Sequence, residues 1–366
     1  MAENISRRTL LRSAAAAGAS VALGACRAAP AQPVAPAIPA AAPVTTAPTT
    51  MVPTTAPSPA RVTIGWAPTT AIAPLYVAIE RGYFAAQAIE PETIVVQNSS
   101  QMVASLGTDE MNVSFGAISA GLLNALGRGI AVKVIAPVGI QPRQGPAANQ
   151  LLIRKALWDA GEVTGVRDLR GRRVAIAGRG SLIDYILFKL LQRHGMTEQD
   201  VDVAEMGFPD MLVALANASV DAALPTEPFV TGAISRGLAV ALPDPMDANI
   251  VAGQPTTYVM ASERFSESEK PVAVRLLTAL VHAMRALDDG RAKTPENLAI
   301  IAKYTKIEPA VLETNVLTEW DSSLRFDPAF IADQQSFFLA SGELDKAVDL
   351  DKLIDTRLAA EAVRRA

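Results

Sequence analysis

RVTIGWAPTTAIAPLYVAIERGYF, residues 61–84, is the stretch on which the fold assignment turns. Val62–Gly65 is a short β-rich run, Ala73–Arg81 carries apolar residues at helical spacing, and Gly82 closes that helix. A second β-rich run, Thr93–Gln97, completes a strand–helix–strand unit. Working outward, the alternation continues. Strands are expected at Asn112–Phe115, Val132–Val138 and Leu151–Arg154, with helices at Met102–Leu106 and Ser119–Leu126. A second series opens at Val174–Ala177 and runs through a helix near Ser181–His194, the strand Val201–Glu205 and a helix Pro209–Asn217. It closes with Ala222–Leu224, a helix Pro228–Arg236, Ala239–Leu242 and the strand Thr257–Ser262. Strands and helices alternating in this way define an α/β fold. Beyond it the chain reads as helical. Ser266 and Glu269 form a capping box for a helix reaching Leu287, and Thr294-Pro295 opens another.

The first 26 residues are not part of that fold. Arg7-Arg8 with Leu10-Leu11 resembles a twin-arginine export signal. An apolar stretch, Ser13 to Ala25, leads to Leu23-Gly24-Ala25-Cys26, which looks like a lipobox with Cys26 as the lipidated residue. Residues 27–60 are mostly Ala, Pro and Thr, with prolines from Pro30 to Pro59 blocking helix, and read as a disordered tether. Among 366 residues Cys26 is the only cysteine, which excludes a disulfide framework and a cysteine-rich metal site. The net charge of −4 argues against a nucleic-acid partner, which needs a basic face.

Trp66, Pro74-Leu75-Tyr76-Val77-Ala78 and Gly82-Tyr83-Phe84 resemble the opening of the sulfonate, nitrate and thiamine-pyrimidine (NMT1/THI5-like) family of periplasmic binding proteins. Further markers follow in order: Ser99-Ser100-Gln101, Gly116, Asp168-Leu169-Arg170-Gly171, Gly180-Ser181, Val220-Asp221-Ala222 and Glu227-Pro228-Phe229. The resemblance covers about residues 61–350. It implies a type-II periplasmic-binding-protein fold, two lobes joined by two crossing strands, with lobe one at 61–150 plus 258–366 and lobe two at 151–257. It also implies an extracytoplasmic, lipid-anchored solute-binding subunit. Its partners would be a small organic, anionic or aromatic ligand and the permease and ATPase of an ABC importer, and the subunit itself a monomer. Two other readings stay open: a pyrimidine-precursor-synthase-like enzyme, and a ligand-sensing lipoprotein on the same fold.

Open α/β lobes take ligands where loops leave the carboxyl ends of their strands. Trp66 either stacks on a planar ligand or packs in the core, and Thr69 and Thr70 either line an anion-holding helix start or merely cap it. Ser99, Ser100 and Gln101 occupy the same kind of junction, and Gly116 joins them through the family resemblance. In lobe two Arg179, Gly180 and Ser181 open a helix and read as an anion pocket, or as a cap with a solvent-facing arginine. Glu227 either receives a ligand amine or caps the helix after Pro228. His194 reads as a helix-end cation and His282 as surface or core. No catalytic motif, cofactor motif or metal motif is expected. If Cys26 carries the anchor, Cys26→Ser moves the protein from membranes to the soluble fraction. A mutant that still pellets with membranes after a salt wash overturns that assignment.

Overall fold

The computed structural model of the chain describes residues 58–96, 99–288 and 290–366, with the backbone alone at Ser99 and Ser100. The expected export signal, Cys26 and nearly all of the expected tether lie outside the described residues.

Ten strands form two mixed sheets of five. The first contains β1 (Ala60–Trp66), β2 (Ile89–Val95), β3 (Val113–Gly116), β4 (Val132–Ile140) and β10 (Pro255–Ser262), in the order β2-β1-β3-β10-β4. The second contains β5 (Leu152–Arg154), β6 (Arg173–Ile176), β7 (Asp202–Glu205), β8 (Ala222–Ala223) and β9 (Ala239–Ala241), in the order β7-β6-β8-β5-β9. In each sheet the strand by which the chain arrives from the other sheet runs antiparallel to both neighbours. That strand is β5 in one direction and β10 in the other. The result is the type-II periplasmic-binding fold, two α/β lobes joined by two crossing connections.

β4 reads VKVIAPVGI and is buried almost throughout, as a strand covered on both faces must be. β2 differs from its expected position. It begins at Ile89, because pairing with β1 sets Ala60 opposite Ile89 and carries Pro91 into the strand. Proline is tolerated there because β2 is an edge strand. The capping box expected at Ser266 is also corrected. Ser262 is the N-cap, accepting from the Phe265 N–H, and opens the helix Glu263–Ser268. The Ser266 hydroxyl is buried inside that helix and donates back to the Ser262 carbonyl at 3.0 Å. A separate helix, Lys270–Leu287, packs its apolar face on the helices Ala73–Glu80 and Arg357–Arg365. Thr294 does cap the helix Pro295–Thr305, with proline at its first position. None of the helices among the described residues is long and apolar enough to cross a membrane.

The crossing connections bind each other. The Gln141 N–H donates to the Gln254 carbonyl, the Gly253 N–H donates to the Gln141 carbonyl, and Asn249 Nδ2 donates to the carbonyls of Pro142 and Gly145. The helix Ala329–Ala340 makes a further tie. Its Phe337 stacks on Phe188 at 4.5 Å and meets Tyr185 edge-on, while the Tyr185 hydroxyl and Lys189 both donate to Asp333. The turn after it is held by Asn124, in the first-lobe helix Ala120–Gly127, through bonds with Glu343 and Asp345. Late C-terminal chain therefore packs on both halves. Phe337→Ala removes the centre of this aromatic contact and should destabilise the protein by about 3–5 kcal/mol. Urea unfolding measures it, and a change below about 1 kcal/mol would show the contact to be peripheral.

Candidate functional site

The carboxyl ends of β3 and β6 face one another. The Ala120 N–H, just after β3, donates to the carbonyl of Gly180, just after β6, at 2.8 Å. Gly180 has φ +64°, and a β-carbon there would lie 2.8 Å from the Ala120 β-carbon. Glycine is thus required both by the backbone and by the approach of the lobes. Around this contact lie the loops singled out by the sequence.

Trp66 ends β1 and is buried in an aromatic cluster, edge-on to Tyr76 at 5.4 Å and to Tyr304 at 5.9 Å, with the two tyrosines stacked at 4.5 Å. Of its two readings, packing in the core is the one that these contacts describe, although its indole Nε1 is buried without a partner among the described residues. Thr69 precedes the short turn Thr70–Ile72, and its side chain makes no cap bond; its carbonyl accepts from the Tyr76 hydroxyl at 3.0 Å. Thr70 is buried. Burial, with a smaller contribution from the neighbouring Tyr304, pushes the Tyr76 phenol well above its ordinary range.

Gln101 is exposed on the helix Ser99–Gly107, and nothing is described of the side chains of Ser99 and Ser100. Gly116 ends β3, where a β-carbon would meet the Met102 sulfur at 2.7 Å. Beside it in the sheet, Tyr258 of β10 is almost wholly buried, with its hydroxyl unpartnered among the described residues and its ring edge-on to Phe326 at 5.5 Å.

In lobe two Ser181 caps the helix Leu182–Arg193, accepting from the Asp184 N–H. In the loop expected to hold an anion, several donors are engaged by the protein's own carboxylates. Arg179 pairs with Asp184 and Glu198, the Arg179 N–H donates to Glu205 Oε2 at 3.0 Å, and the Gly180 N–H donates to Asp184 Oδ2 at 2.9 Å. Burial, reinforced by the Glu198 charge, pushes the Asp184 carboxyl up to about 7.

Glu227 is likewise engaged. Its carboxylate accepts the Thr231 N–H at 3.0 Å, the Thr231 hydroxyl at 2.8 Å and the Val316 N–H at 3.0 Å, and burial holds its pKa above the usual carboxylate value. It therefore ties the loop after β8 to the segment 315–326. That segment, with no sequence motif of its own, runs on to Ile140 through Glu319, to the Ala71 carbonyl through Trp320 Nε1, and to Tyr258 through Phe326. Buried side-chain atoms of Asn315, Thr318 and Ser323 along it have no partner among the described residues. Sequence reasoning missed both Tyr258 and this segment. The histidines lie in other contacts: His194 Nε2 is 2.9 Å from Asp247, and His282 packs beside Tyr83.

Known proteins give this arrangement a context. Of solved structures, the alkanesulfonate-binding protein SsuA from Xanthomonas axonopodis pv. citri, bound to MOPS, aligns with a TM-score of 0.65 at 19% identity, covering 82% of this chain and 100% of that one. The periplasmic nitrate-binding protein NrtA from Synechocystis aligns with a TM-score of 0.69 at 15% identity, covering 85% and 90%. At these identities the likeness shows the fold. Among sequences, the riboflavin-binding protein RibY of Chloroflexus aurantiacus is 33% identical over 182 residues, 46% of this chain and 47% of RibY. The nitrate import ATP-binding protein NrtC of Synechocystis is 24% identical over 288 residues, 75% of this chain and 42% of NrtC. The chain thus spans less than half the length of either relative. A profile of the NMT1-like family matches residues 55–305, from just before β1 to the end of the helix Pro295–Thr305. The chain belongs to the NMT1-like family.

Proposed function

We propose that this chain is the extracytoplasmic solute-binding subunit of an ABC importer, delivering a small organic molecule to a permease and its ATPase. The observation that carries this reading is the pair of lobes on a two-connection hinge, meeting where Ala120 donates to Gly180. Such an arrangement does its work by closure. Ligand held by one lobe recruits the other, and the closed state is what a permease recognises. In this reading lobe one is 61–150 plus 258–366 and lobe two 151–257. The twin-arginine-like leader exports the chain, Cys26 anchors it through lipid, and it acts as a monomer without catalysis. The names of the relatives support a transport role, with nitrate, sulfonates and riboflavin among their ligands.

A thermal-shift panel of sulfonates, nitrate, pyrimidines, flavins and aromatic carboxylates tests the reading. A true ligand at a hundred times its Kd adds about 2.7 kcal/mol to stability. Stabilisation by none of these classes, with unchanged solute uptake in a strain lacking the protein, overturns it. Gly180→Val tests the closure geometry. A branched side chain at φ +64° against Ala120 should lower affinity for the ligand so found by about tenfold or more, with the far-ultraviolet circular dichroism retained. Unchanged calorimetric affinity would remove the Gly180 contact from the binding cycle.

A further inference from the structure

The second-lobe loop carries one guanidinium and is surrounded by acids. Arg179 is shared by Asp184 and Glu198, while Glu205 takes the backbone N–H of Arg179 and Asp184 takes that of Gly180. One oxygen of Glu198, Oε1, is buried with no donor at all among the described residues. With Glu198 and Glu205 ionised, two negative charges stand against one positive charge even before Asp184, whose carboxyl is pushed up to about 7, is counted. An incoming oxyanion would compete for donors already held by tethered carboxylates, and would meet net negative charge while doing so. The unpartnered groups at the first-lobe end of the site are of a different kind. The indole N–H of Trp66 and the hydroxyls of Tyr258 and Ser323 are uncharged hydrogen-bonding groups.

We propose that the cleft takes an uncharged, hydrogen-bonding organic molecule, and that Asp184, Glu198 and Glu205 are the specificity residues that turn oxyanions away from the loop Gly178–Ser181. This rests on the solute-binding reading and narrows its ligand class. The loop has the backbone form of an anion cradle, and its own acids fill it.

The test uses the mature chain, with ethanesulfonate and nitrate as probes in calorimetry. The wild type should show no saturable binding of either. The double variant Asp184→Asn, Glu198→Gln removes the counter-charges on Arg179 and should bind ethanesulfonate saturably, at least about ten- to a hundredfold more tightly than the upper limit set by the wild type, the scale of a charge-assisted hydrogen bond. Adding Arg179→Ala should abolish that gain. If the buried Asp184→Asn change prevents folding, Glu205→Ala at its exposed position should shift affinity in the same direction by releasing the Arg179 N–H. Saturable anion binding by the wild type that is lost in Arg179→Ala overturns the inference, as does a folded double variant that gains nothing. A sulfonate ligand would leave the solute-binding reading standing and remove only this one. Stabilisation of the wild type by uncharged members of the panel supports it, and stabilisation by anionic members alone overturns it.

Discussion

Gln141 is wholly buried where the chain leaves the first sheet, and its backbone N–H, its carbonyl and both side-chain amide atoms are hydrogen-bonded. Its backbone holds the returning connection at Gly253 and Gln254, and its side chain holds the outgoing one at Ala148 and Asn149. One residue thus fixes how the two crossings lie against each other. A buried amide stripped of a partner costs about 1–3 kcal/mol, so this knot resists local rearrangement. The placement of every loop at the strand ends follows from it, because those loops face each other only if the crossings keep their geometry.

Further ties act on the same junction from other directions. Gly180 meets Ala120, Glu227 accepts from Val316, and the helix Ala329–Ala340 lies on the helix Leu182–Arg193. Several polar residues that look available in the sequence are therefore engaged in holding the protein together. Glu227 is a strut between separate parts of the chain, and Arg179 is a counterion inside its own lobe. At the first-lobe side of the junction the uncommitted groups among the described residues include neutral ones: the indole nitrogen of Trp66, the hydroxyl of Tyr258 and the amide of Asn315.

The strands were readable because β-rich runs such as Val132–Ile140 are buried on both faces and leave little ambiguity. Caps were readable where one local bond decides them, as at Thr294 and Ser181. They were not where two serines four residues apart compete, as Ser262 and Ser266 do, since only packing buries the second. Loop positions of the site were legible from the strand–glycine–helix pattern. Their partners were not, because Val316 lies 89 residues from Glu227, and Glu198 lies 19 from Arg179 across a whole helix. Tyr258 and the segment 315–326 carry no motif. Their relevance comes from where the return strand and the C-terminal chain are laid down.

The displaced start of β2 has a consequence for solubility. An outermost strand with Ile94 and Val95 exposed is a template on which another chain can add. Pro91 leaves a gap in that strand's row of donors, and Glu90 and Glu92, both exposed, set a carboxylate on either side of the gap. Two copies brought edge to edge would lose bonds at the proline and crowd the exposed Glu90, while Glu92 is paired with Arg61 of β1. The register that carries Pro91 into the sheet therefore also works against edge-to-edge growth.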